Sequence, residues 1–181
     1  MVEDEELFQG EKLKMNVTDI AKKIKSQLNE EYPSCKFSVT TDKSTGSQSI
    51  TVSVMEAGFK VLRDFEDLSD FVIKDYVEHR GVVSNEEELK QMLEETDYFQ
   101  LATTRKPYNP NVWNNGAFLT KEGHQLVKKI TEIADQYNYD NSDRQSGHYD
   151  VNFHLSIQLG KYDRPFEDGG GPSSVNKYSG N

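Results

Sequence analysis

Lys36-Phe37-Ser38-Val39-Thr40, then Thr41-Asp42-Lys43-Ser44-Thr45-Gly46-Ser47, then Ser49-Ile50-Thr51-Val52-Ser53-Val54 is the stretch that decides the fold. Apolar and polar residues alternate strictly in its two outer parts, the period of a strand with one buried face. The middle part is turn chemistry throughout, so the three together read as a β-hairpin. One buried face requires something to bury it against. The preceding residues supply that: Val17, Ile20, Ala21, Ile24 and Leu28 recur at helical spacing, and Lys22, Lys23 and Lys25 fall mostly off the stripe. Asn16 is a good N-cap with Asp19 in the first turn, and Pro33 stops the helix.

Downstream, Phe59–Arg80 suits a helix broken near Asp67–Asp70, with Leu62, Phe65, Val72, Ile73 and Tyr76 apolar. Ser84-Asn85-Glu86-Glu87 reads as a capping box opening an acidic helix to about Asp97, with Leu89, Met92 and Leu93 inward. A long loop over 103–118 carries Trp113 and Phe118. Thr120 then caps a strong helix whose stripe is Leu126, Val127, Ile130, Ile133, Ala134 and Tyr137. Last comes a strand with Val151, Phe153, Leu155, Ile157 and Leu159 on one face and Asp150, Asn152, His154, Ser156 and Gln158 on the other. That alternation predicts an antiparallel sheet with one wet face. The expected architecture is α+β, a small antiparallel sheet packed on helices, ordered roughly α-β-β-α-α-α-β. It occupies residues 16–166, between a flexible acidic lead (1–15) and a disordered tail (167–181).

The 181 residues carry a net charge of −10, and 34% are hydrophobic. No apolar run approaches the roughly 18 residues a membrane span needs, and the acidic start is unlike a secretory signal, so a cytoplasmic location is expected. The single cysteine, Cys35, rules out an internal disulfide and any ordinary Cys/His zinc set, and it reads as structural. The charge is uneven: Lys12–Lys43 is net +3 and Glu56–Asp97 is net −8. A chain with this balance is a poor binder of nucleic-acid backbone as a whole. Its acidic middle suits a basic protein surface, such as the nucleic-acid channel of a protein that handles DNA or RNA.

Signatures of catalysis are weak. His148, Asp150, Asn152 and His154 share the polar face of the last strand, but His148 and His154 stand near 20 Å apart on a straight strand and cannot ligate one ion. Asp140, Asn141 and Asp143 lack the alternation, central glycine and terminal glutamate of a calcium loop. His79 and His124 stand alone and read as surface histidines. There is no P-loop, nucleophile elbow, HExxH or dinucleotide fingerprint. No cofactor, metal or catalytic residue is expected, and the chain reads as a non-enzyme.

The string Thr18-Asp19-Ile20-Ala21-Lys22-Lys23-Ile24-Lys25, then Leu28, Tyr32-Pro33, Lys36-Phe37-Ser38-Val39 and Ser49-Ile50-Thr51-Val52 resembles the large polyvalent protein-associated domain family 29. The resemblance covers about residues 16–58. A looser one, through Tyr137–Asp143 and Tyr149–Phe153, covers 137–166, and the middle has no counterpart. Where family members often carry a Trp and an Asp-Gly-Pro turn, this chain has Val54-Met55-Glu56-Ala57-Gly58. The resemblance implies an accessory module without an assigned active site, from phages and conjugative elements. On that basis the leading expectation is a protein-binding inhibitor of a host defence nuclease in the bacterial cytoplasm, of the anti-CRISPR or antirestriction kind. Its contact surface would be Glu86, Glu87, Glu88, Glu94 and Glu95, and its partner a CRISPR nuclease complex or similar nucleic-acid-handling protein. The alternative is an accessory nucleic-acid-binding module using Lys22, Lys23, Lys25, Lys36 and Lys43.

Overall fold

Asn16 opens the first helix, α1 (Val17–Glu31), by accepting a hydrogen bond from the Asp19 backbone N–H. In the computed structural model all five stripe residues of α1 are buried, and Lys22, Lys23 and Lys25 are exposed. The structure describes residues 15–44, 47–79, 83–94, 115–139, 142, 145–147, 151–161, 164 and 166–169. Residues 1–14 of the expected lead (1–15) and 170–181 of the expected disordered tail (167–181) lie outside these, whereas Glu167–Asp168, placed in that tail, form a strand because they pair with Glu56–Ala57. Asp140, Asn141 and Asp143 also lie outside the described residues.

The hairpin forms with longer strands than alternation alone indicated, β1 (Lys36–Ser44) and β2 (Ser47–Ala57). Phe37, Ile50, Val52 and Val54 are buried toward α1. Lys36 lies opposite Glu56 and Phe37 opposite Val54, so Met55 is an extra residue in β2 and bends the strand there.

After β2 the chain bends at Gly58 and Phe59 and is held to the later part of the sequence at Leu62, which bridges Leu119. The helix expected over 59–80 is a 3-10 turn at Phe65–Asp67, a five-residue helix α2 (Asp70–Lys74) capped by Ser69, and a π turn at Asp75–His79. The break falls where Asp67–Asp70 suggested it would. Helix α3 (Glu86–Glu94) follows, with Leu89 fully buried, then a 3-10 turn at Asn115–Phe118. Tyr76 and Phe118 pack edge to face with centroids 4.5 Å apart and, with Leu68, Val83 and Leu89, extend the hydrophobic core that begins under the sheet.

Helix α4 (Lys121–Asp135) begins against the Lys60–Val61 backbone. Thr120 Oγ1 donates to Lys60 O (2.7 Å) and accepts from Gly123 N (3.0 Å), and Thr120 N donates to Val61 O. α1 and α4 cover the same face of the sheet and are tied by the Lys129–Glu31 ion pair. At the exit of α4, Asn138 accepts from Phe153 N and donates to Phe153 O, and Asn152 donates to Tyr137 O. Two amide side chains thus clamp the start of β3 (His154–Leu159) to the end of α4.

The α+β class and element order are as expected, but the sheet is mixed. β3 pairs parallel with β2, Ser49 opposite His154 through Val54 opposite Leu159, giving the order β1-β2-β3. The reason lies in α4. Its first turn is pinned just past the end of β2, and its fifteen residues carry the chain about 22 Å back toward the start of β2. A strand beginning there runs alongside β2 in the same direction. Alternation reports one covered face and is silent on strand direction. A short strand β4 (Glu167–Asp168) then pairs parallel with Glu56–Ala57 and closes the sheet.

Candidate functional site

The acidic middle forms one side of the molecule, built from α2, the π turn and α3. Leu68, Tyr76, Val83 and Leu89 are buried beneath it. Lys90 on α3 pairs with Glu66 of the 3-10 turn at 3.0 Å and ties the two segments together. The Glu66 carboxyl is held below the ordinary glutamate range, first by its own backbone N–H and then by the Lys90 ammonium.

Of the expected contact residues, Glu86, Glu87 and Glu88 lie exposed in the first turn of α3. Glu88 has a structural job: its carboxylate accepts from Ser84 N (2.7 Å), and its own N–H donates to Asn85 Oδ1 (2.9 Å). The capping box is therefore centred on Asn85, one residue later than the sequence pattern suggested. Glu86 lines a cleft of about 290 Å³ with Asp70, Ile73, Lys74, Val77 and Glu78. Glu94 ends α3, and Glu95 lies outside the described residues.

Ion pairs compensate part of the charge, Lys60 with Asp64 and Lys74 with Glu78 as well as Lys90 with Glu66. Asp67, Asp70, Glu86 and Glu87 have no ion pair among the described residues. Next to Asp70 on α2 stands Phe71, 79% exposed, the large hydrophobic side chain that projects into solvent among the described residues. Its neighbours Val72 and Ile73 are packed against the core and Phe71 is not. Residue type alone places a phenylalanine inside by default. Only its absence from the stripe hinted otherwise.

The lysines proposed for nucleic acid do not form one patch. Lys23 and Lys25 are exposed on α1, but Lys22 pairs with Asp19 and Lys36 with Glu56. Lys36 and Lys43 lie seven positions apart on β1, about 23 Å.

The polar face of the last strand does not assemble a metal or acid–base cluster among the described residues. Asn152 lies before β3 and spends its amide on Tyr137 O, His154 is exposed, and His148 and Asp150 are outside the described set. His79 and His124 are exposed. Cys35 is buried, and burial pushes its thiol pKa up, the opposite of what a nucleophile needs. No helix among the described residues is long and apolar enough to cross a membrane.

Comparison with known families returns one match: residues 15–108, just over half of the chain, match the family described as large polyvalent protein associated domain 29. The match runs past the hairpin and through the whole acidic segment, so that segment is part of the family's domain rather than a stretch without counterpart. It does not extend to 137–166. No curated protein and no solved structure matches the chain.

Proposed function

The chain belongs to the large polyvalent protein associated domain 29 family, and from that premise we propose that it is a non-enzymatic protein-binding module of a mobile element. In this reading it inhibits a host defence nuclease of the anti-CRISPR or antirestriction type by occupying a basic nucleic-acid site. The observation that carries the reading is the exposed Phe71, which follows Asp70 on α2, in a segment whose Asp67, Asp70, Glu86 and Glu87 have no ion pair among the described residues. An aromatic anchor on an acidic segment combines the two parts of a specific interface: a side chain that fills a pocket and a field that steers encounter.

The test is competition between this protein and duplex DNA for purified, guide-loaded CRISPR nucleases and for restriction enzymes. The wild-type chain should displace DNA from at least one of them, with affinity falling as salt rises. Phe71→Ala should weaken binding about tenfold or more. The Glu86→Lys/Glu87→Lys pair should weaken it and flatten the salt dependence. Glu88 is left intact because it caps α3. Absence of displacement across the panel, or variants indistinguishable from wild type, would refute the reading.

Direct nucleic-acid binding by α1 is the second reading, supported by the exposed Lys23 and Lys25. A gel shift at low salt with DNA or RNA that lacks a terminal phosphate separates the two readings, since its retardation by the chain alone belongs only to the second.

A further inference from the structure

A cavity of about 470 Å³ opens at the end of the sheet where β1 begins and β2 and β3 finish. Its floor is Cys35, Phe37 and the bulged Met55; Asn29 and Ser38 add an amide and a hydroxyl. The remaining lining residues are Lys36, Lys161 and Arg164. Three cations and no carboxylate among the described lining residues is a reversal of sign in a chain of net charge −10.

Lys161 and Arg164 are placed there by backbone structure. Gly160, at the end of β3, donates to Val54 O and takes a positive φ of 71°, which turns the chain out of the sheet. Lys161 N then donates to Arg164 O (2.7 Å) and Arg164 N to Lys161 O (3.2 Å). Residues that exchange both backbone hydrogen bonds across an antiparallel bridge have Cα atoms about 5.5 Å apart and side chains on one side. Two cations held directly opposite repel one another and destabilise the turn. Lys36 pairs with Glu56 at 2.5 Å, whereas Lys161 and Arg164 have no ion pair among the described residues.

We propose that this cavity is a binding site for a phosphate monoester carried on a group of mononucleotide size. A dianionic phosphate placed between Lys161 and Arg164 relieves their repulsion, with the guanidinium donating two parallel hydrogen bonds and Lys161 acting as a point charge. Asn29 and Ser38 supply donors to the remainder of the ligand, and the volume is that of an ordinary small-molecule site. The site is independent of the Phe71 surface and of the function proposed for it.

Two-dimensional NMR of the full chain with adenosine 5′-monophosphate, inorganic phosphate, adenosine and a 5′-phosphorylated oligonucleotide tests this. Adenosine 5′-monophosphate should shift the Ser38, Met55 and Lys161 amides saturably at about 0.15 M salt, where non-specific backbone attraction is largely screened. Inorganic phosphate should compete, and adenosine should leave the amides unmoved. Lys161→Ala and Arg164→Ala should each weaken binding about tenfold, the scale of a charge-assisted hydrogen bond, with the rest of the spectrum unchanged. Tighter binding of the oligonucleotide would identify the 5′ end of a nucleic acid as the source of the phosphate, and tighter binding of the mononucleotide a free nucleotide. Lack of saturation up to about 5 mM, equal shifts with adenosine, or full binding by the Lys161→Ala/Arg164→Ala double variant would overturn the assignment.

Discussion

Asp168→Ala tests how the end of the described chain holds the middle in place. The Asp168 carboxylate accepts from Val61 N at 2.8 Å and from Leu62 N at 3.1 Å, across more than a hundred residues of sequence. Val61 and Leu62 are buried, and the same segment seats α4 through Thr120 and bridges Leu119. A hydrogen bond to a charged group is worth about 1.5–3 kcal/mol net, and a donor stranded by truncation costs about 1–3 kcal/mol. Two such bonds give about 3–6 kcal/mol. Asp168 is only half-buried, so water replaces part of what is lost, and the working figure is about 2–4 kcal/mol. For a chain of this length that lowers the melting temperature by about 5–15 °C. Urea denaturation measures the difference directly, and hydrogen exchange locates it, because the Val61 and Leu62 amides should lose protection before those of β1. Asp168→Asn retains one acceptor oxygen and should cost roughly half as much. An alanine variant within about 0.5 kcal/mol of wild type, with Val61 and Leu62 still protected, would refute the view that β4 staples this segment.

Two further outcomes follow from single positions. A Cβ added at Gly123 would stand 2.4 Å from Val61 O, so Gly123→Ala should destabilise by about 1–3 kcal/mol despite its gain of roughly 1 kcal/mol in helix propensity; unchanged or raised stability in a thermal melt would contradict the close approach of α4. The Glu66 carboxyl should titrate below the ordinary glutamate range by NMR, and Lys90→Met should return it only part of the way, because the larger cause is its own backbone N–H. Its pKa is lower folded than unfolded, so its contribution to stability is present above the unfolded value and fades as pH falls through the folded one.

Sequence by itself determined the local elements and the sign of their surfaces. Asn16 and Thr120 accept hydrogen bonds as N-caps, and the apolar residues at helical spacing in α1 and α4 are buried or packed on the core. The hairpin needed only its alternation and its turn. Each of these is a short-range property, set by which residues share a face within a few positions, and periodicity reports that reliably. The acidity of the middle was also a matter of composition.

Tertiary structure decided what depends on distant partners. The parallel direction of β3 follows from where α4 docks, and it docks on Lys60 and Val61, a third of the chain away. Phe71 lies outside because Val72, Ile73 and Tyr76 take the places against the core, a competition no single residue reveals. Glu88 proved to be a cap as well as a surface charge. Lys161 and Arg164 carried no motif; Gly160 and a two-bond turn bring them over the cavity beside Lys36. Residues far apart along the chain become neighbours only through sheet pairing and helix docking, so charge along the sequence located the acidic side and left the basic cavity to be found in three dimensions.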